Sequence, residues 1–173
     1  LFGLLFLVMA FGVVTSTLNS LTLNAAAPSV QEGGGYSRGG GIFSSDTLNL
    51  FYTLVDGNAA EQGAGLYNDA TASTTVTSTL FIANLASETG AGIDNSGYLD
   101  LDNAIVWANV AQGHGGGLHN ATFGGPSANL RNSTFYQNQS VAGSGGGIYN
   151  ITDFGTWTAL SNMTIANNSA DGS

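Results

Sequence analysis

The sequence predicts an all-β fold, a right-handed parallel β-helix (solenoid) of about five recognisable coils of 24–30 residues. Three observations predict it. A Gly-x-Gly-[Ile/Leu] unit recurs at 39–42, 63–66, 90–93, 115–118 and 145–148, spaced by 24, 27, 25 and 30 residues. A second block recurs between these units, with an apolar anchor followed three residues later by Asn in all five copies. No block has a helical period, and β-branched and aromatic residues fill the apolar columns. Self-similarity at about 25 residues with short strands is the signature of stacked coils.

The chain opens on fourteen uninterrupted apolar residues, LFGLLFLVMAFGVV. Such a run is short for a membrane helix, which needs about 20 residues. It fits the apolar core of a signal peptide, and residues 1–28 are read as a clipped leader, with 29–173 as the repeat domain. Ala25, Ala26 and Ala27 follow at a distance suited to cleavage, but Pro28 opposes a cut there and leaves the cleavage point open. The alternative is a first buried strand or helix of the fold.

Within each repeat the columns divide into strands and turns. The anchors are Val55, Phe81, Val106, Phe135 and Ile165; five residues earlier stand Leu50, Val76, Leu101, Leu130 and Leu160. Three residues after the anchors come Asn58, Asn84, Asn109, Asn138 and Asn168, and two further on a small residue, Ala or Ser. After the Ile or Leu of the glycine unit, Asn68, Asn95, Asn120 and Asn150 form a second Asn column, headed by Ser44. A fixed Asn tolerates left-handed backbone and bonds its equivalent one coil away, so both columns are expected to be turn ladders. Glycine is expected at corners that need positive φ or close approach of coils. The repeat lengths vary only between the blocks, which places loops there. The chain stops where another glycine unit is due, so a segment of a longer solenoid is expected.

Charge narrows the partners. Eleven acidic residues face two cations, Arg38 and Arg131, for a net charge of −9. With so little to neutralise phosphate, nucleic acid is not an expected partner, and a membrane is reached only through an anchor outside this segment. A nucleotide is not expected either: a phosphate loop needs a Lys the chain lacks, and Ser or Asn stands where a dinucleotide fingerprint requires its third Gly. Without cysteine there are no disulfides or thiolate metal sites.

Two columns are expected to point outward and to line up as stripes about 5 Å apart. One holds Phe43, Tyr67, Asp94, His119 and Tyr149; the other holds Asp56, Ile82, Trp107, Tyr136 and Ala166. Their rings Phe43, Tyr67, His119, Tyr149, Trp107 and Tyr136 suit a carbohydrate or a host or cell-surface protein, or else simply stack coil on coil. Asp94, Asp100 and Asp102 are the only calcium candidates, and no other cofactor is expected. His114, flanked by glycines, is expected to be exposed in a length-variable turn. Six Asn-x-Ser/Thr sequons begin at Asn120, Asn132, Asn138, Asn150, Asn162 and Asn167; several fall on ladder columns, which accounts for them without sugars.

The glycine units combined with FIAN (81–84) and FYQN (135–138) resemble the repeats of polymorphic outer-membrane proteins, which alternate GGA[ILV] with FxxN. The resemblance covers about residues 39–173, with Gly where those repeats carry Ala. It implies an autotransporter passenger: a right-handed β-helix exported to the bacterial surface or outer membrane and acting in adhesion or display. Nothing in the chain resembles that family's membrane barrel. Two further readings stay open, a polysaccharide-acting β-helix lyase or glycoside hydrolase with its active site largely outside this segment, and a self-associating structural solenoid.

Overall fold

The structure, a computed structural model, describes residues 9–10, 14–16, 21–22, 36–122, 128–153 and 155–172. Among these residues there is no helix, and the strands form four parallel sheets stacked as a β-solenoid of about five turns. Sheet I holds the glycine-unit strands Ile42–Ser44, Leu66–Asn68, Ile93–Asn95, Leu118–Thr122 and Ile148–Thr152. Sheet II holds Thr47–Phe51, Ser73–Thr77, Tyr98–Asp102, Ala128–Arg131 and Thr158–Ser161. Sheet III holds Leu54–Asp56, Leu80–Ile82, Ile105–Trp107, Thr134–Tyr136 and Thr164–Ala166. Sheet IV holds Ala59–Gln62, Leu85–Thr89, Val110–Ala111, Gln139–Ser140 and Ser169–Ala170.

The apolar columns read from the sequence are register columns. Val55, Phe81, Val106, Phe135 and Ile165 pair in succession along sheet III, and Leu50, Val76, Leu101, Leu130 and Leu160 along sheet II. Both columns point inward and are fully buried in the first four coils. In the fifth, Leu160 is 53% and Ile165 48% exposed. A coil therefore seals its core against its neighbours and not within itself. On the other side of the interior, Ala60, Ala64, Ala86, Ala91 and Ala111 form a second cluster of small side chains. It lets sheet IV lie close to the glycine corner.

The first Asn column is a continuous ladder. The Nδ2 of Asn58, Asn84, Asn109 and Asn138 donates to Oδ1 of the next Asn at 2.8–3.0 Å. Each backbone N–H donates to that same oxygen. The remaining Nδ2 hydrogen of Asn84, Asn109, Asn138 and Asn168 returns to the carbonyl of the previous coil's anchor, Val55, Phe81, Val106 or Phe135. In the second column Asn68, Asn95 and Asn120 each donate to the next Asn at 2.7 Å. One detail of the sequence reading is corrected. The ladder Asn themselves are not left-handed; positive φ falls one residue earlier, at Gly57, Ala83, Ala108, Gln137 and Asn167. The turn is made by the preceding residue, which aims the amide inward along the stack.

Two glycine positions have distinct reasons. Gly90 has φ +61°, and a Cβ there would lie 2.5 Å from the Asp94 Cβ, which folds over its own glycine unit. Gly92 abuts the next coil, where an added Cβ would meet the Gly117 carbonyl oxygen at 2.5 Å. Both expected uses of glycine therefore occur, in different places of one unit.

At the N-terminal side, Met9–Ala10 pairs with Phe43–Ser44, Val14–Ser16 with Leu48–Leu50, and Leu21–Thr22 with Val55–Asp56. Segments of the apolar stretch thus lie in register on the first coil. Ala25–Ala27 and Pro28, read as the cleavage region, lie outside the described residues.

Truncating a ladder amide leaves several buried groups unpaired, each costing about 1–3 kcal/mol. Asn109→Ala is expected to destabilise the protein by about 3 kcal/mol or more, whereas exposed Asn132→Ala should cost less than about 1 kcal/mol. Urea denaturation followed by circular dichroism checks both.

Candidate functional site

The first outward stripe is a closed stack on the outer side of sheet I. Its register order is Phe43, Tyr67, Asp94, His119, Tyr149. Phe43 and Tyr67 stack with ring centres 5.5 Å apart, and so do His119 and Tyr149. Between these pairs, Asp94 Oδ1 lies 3.0 Å from His119 Nδ1, and Thr89 donates its hydroxyl to Asp94 Oδ2 at 2.5 Å. The Arg38 guanidinium lies over the Tyr67 ring and donates from Nε to Gln62.

These side chains point away from the core yet are not open. Tyr67 is 5% and Asp94 3% exposed. Chiefly through burial, the Tyr67 hydroxyl titrates above its ordinary value. The expectation of an exposed ring is therefore corrected for Tyr67, while Phe43, His119 and Tyr149 are partly buried and stack coil on coil. His114 is likewise not an exposed turn residue. It is half-buried, stacks on Tyr149 at 4.4 Å, and accepts the Ser144 backbone N–H at Nδ1.

The calcium candidates do not converge. Asp94 belongs to sheet I, while Asp100 and Asp102 stand on the outer face of sheet II. Arg131, one coil on, reaches both: Nη1 lies 2.9 Å from Asp100 Oδ1 and Nη2 3.4 Å from Asp102 Oδ2. Asn129 donates to Asp100 and Asn132 to Asp102. Among the described residues no group of three or more His, Cys, Asp or Glu side chains is placed to hold a metal ion.

The second stripe is different. Asp56, Ile82, Trp107, Tyr136 and Ala166 run in register along the outer face of sheet III. Trp107 is 42% exposed, and its Nε1–H donates to Gln137 Oε1 at 2.9 Å, tying the indole edge to the next coil. The sequence reading missed the residues beside this stripe. Leu54, Leu80 and Ile105 form a parallel outward row, and Leu85 and Val110 continue the apolar surface across the corner on sheet IV. The available signal was a period-two alternation around each buried anchor, LVD, LFI and IVW, in which both flanking positions face out.

The sequons divide by burial. Asn120 and Asn138 are fully buried in the ladders, so their amides are committed; Asn132 and Asn162 are exposed at the corner between sheets II and III.

No family, curated protein or solved structure matches the chain.

Hydrogen bonding from Asn132, followed by that from Arg131, holds the Asp102 carboxyl below its ordinary value of 3.8, against the opposing effect of desolvation. A carboxyl depressed in the folded state stabilises the fold above its unfolded value, and that contribution is lost as pH falls through the folded value. Asn132→Ala is expected to move the Asp102 titration upward towards 3.8, as read by carboxyl-carbon NMR. An unchanged titration midpoint would show that Asn132 does not hold it.

Proposed function

We propose that this chain is part of an exported, surface-exposed β-helix scaffold, adhesin- or passenger-like, that works by display and contact and not by catalysis. One observation carries the reading: the titratable clusters are used up inside the scaffold, whereas the Trp107–Tyr136 face remains open. Asp94 is engaged by His119 and Thr89, and Asp100 and Asp102 by Arg131. A side chain already held on both oxygens is poorly placed to act as acid or nucleophile on a substrate. The resemblance of the repeats to those of polymorphic outer-membrane proteins adds support for surface display.

Export rests on the apolar N-terminal run. That run also pairs with the first coil, and the two roles exclude one another in the mature protein. Sequencing the N-terminus of the mature protein distinguishes them: export with cleavage predicts a start beyond Thr22.

Surface display is tested by protease treatment of intact cells that make the full protein. Cleavage at exposed corners without lysis is the expected result; protection until lysis refutes display. Asp94→Asn and His119→Gln, assayed for cleavage of polysaccharides by the full protein, test the enzymatic alternative. An activity present in the parent protein and lost in both variants would replace the scaffold reading.

A further inference from the structure

The outer faces of sheets III and IV carry an apolar field that the scaffold does not use. Leu80 and Ile105 lie in one register row, Ile82 and Trp107 in the next, and Leu85 and Val110 in a third beyond the corner. Ile105 and Trp107 are each 42% exposed and Leu85 50%. A contiguous exposed apolar surface of this kind on a chain this acidic marks a contact site. No carboxylate stands in these rows over the second and third coils. Acidic residues stand around them instead: Asp56 heads the Trp107 column, Glu88 lies further along the Leu85 strand, and Asp102 ends the sheet II strand before the Ile105 corner. Asp102 is paired with Arg131, but Asp56 and Glu88 take part in no ion pair among the described residues. Both arginines are engaged elsewhere, Arg131 with Asp100 and Asp102, and Arg38 with Gln62 and Tyr67.

We propose that this field is the docking surface for a protein partner whose apolar centre is bordered by Lys and Arg. The inference rests on the display reading above and names the partner's chemistry. A second copy of this chain is disfavoured, because two such faces would bring uncompensated acidic rims together. A glycan is disfavoured because aliphatic side chains dominate the field, with one exposed indole and few polar groups to fix hydroxyls. A basic rim meeting Asp56 and Glu88 around an apolar centre satisfies both features.

The test uses the full chain carrying Trp157→Phe, so that fluorescence reports Trp107. An amphipathic peptide of alternating Leu and Lys is the probe, compared with a Leu/Glu peptide and a neutral cello-oligosaccharide. The Leu/Lys peptide is expected to shift Trp107 emission saturably, and more weakly as salt rises. The double variant Leu80→Thr/Ile105→Thr, which leaves the net charge unchanged, is expected to weaken that binding at least tenfold. Thr is compatible with this column, because Thr134 and Thr164 already occupy it in the next two coils. Unchanged affinity in the double variant, equal binding of the Leu/Glu peptide, or a response to the oligosaccharide alone would each overturn the proposal. So would a dimer of the full chain that the double variant dissociates, which would assign the face to a second copy. If docking fails while protease still cuts the protein on intact cells, the display reading stands and this one falls.

Discussion

The fold depends on keeping one buried amide level with the next. In the interior of the Asn58–Asn168 ladder each side-chain oxygen receives two hydrogen bonds, and each side-chain nitrogen gives two. These bonds close only when equivalent residues sit at the same height in successive coils. A slip of one residue would turn every inward side chain of a strand outward and leave buried amides unpaired. The ladder thus fixes register more tightly than apolar packing does, since Val and Phe alternate freely at the anchor column. Its energy comes less from any bond made than from the cost of leaving one unmade.

That constraint is also why so much of the fold could be read in the sequence. Stacking turns a spatial column into a column of residue types, so Leu50 to Leu160 and Asn58 to Asn168 announce themselves despite varying loop lengths. What could not be read was which outward residues stay wet. Tyr67 and Asp94 alternate correctly with the core, yet Arg38 and Thr89 cover them from outside the repeated blocks. These covering residues come from neighbouring segments and share no repeating type, so no column signals them. The left-handed position was misplaced for a related reason. Gly57, Ala83, Ala108, Gln137 and Asn167 have nothing in common except a backbone angle imposed by the ladder that follows. The row Leu54, Leu80, Ile105 escaped notice because Thr134 and Thr164 continue it, and a column of mixed polarity looks like filler.

Electrostatics divides the outer surface by task. On sheet II, one guanidinium spans two carboxylates of the preceding coil, and amides from Asn129 and Asn132 complete the set. On sheet I, a carboxylate meets an imidazole within a ring stack. Both arrangements join adjacent coils, and on sheet II the guanidinium lies between two acids that would otherwise repel. Sheet III receives none of these pairings. A chain with two arginines and two histidines has few groups to spare, so the mostly apolar outer face of sheet III, with Asp56 at its edge, is where contact with another molecule costs least desolvation.

The fifth coil separates what a coil does for itself from what its neighbours do for it. Leu160 and Ile165 hold the same inward positions as residues that are fully buried in the four preceding coils, yet each is about half open. Local geometry is therefore not what hides the core; the next layer is. The outward positions of sheet III depend less on such a layer. Trp107 in its column is followed by Tyr136 and then Ala166, a change that would be ruinous one residue away at the anchor. In this solenoid the inward columns and ladders carry the core, while the outward positions are used unevenly: those of sheets I and II are largely taken up by coil-to-coil pairing, and those of sheet III are more open. The Trp107 column varies from coil to coil because it lies outside the core columns, although the indole N–H ties Trp107 to Gln137 of the next coil.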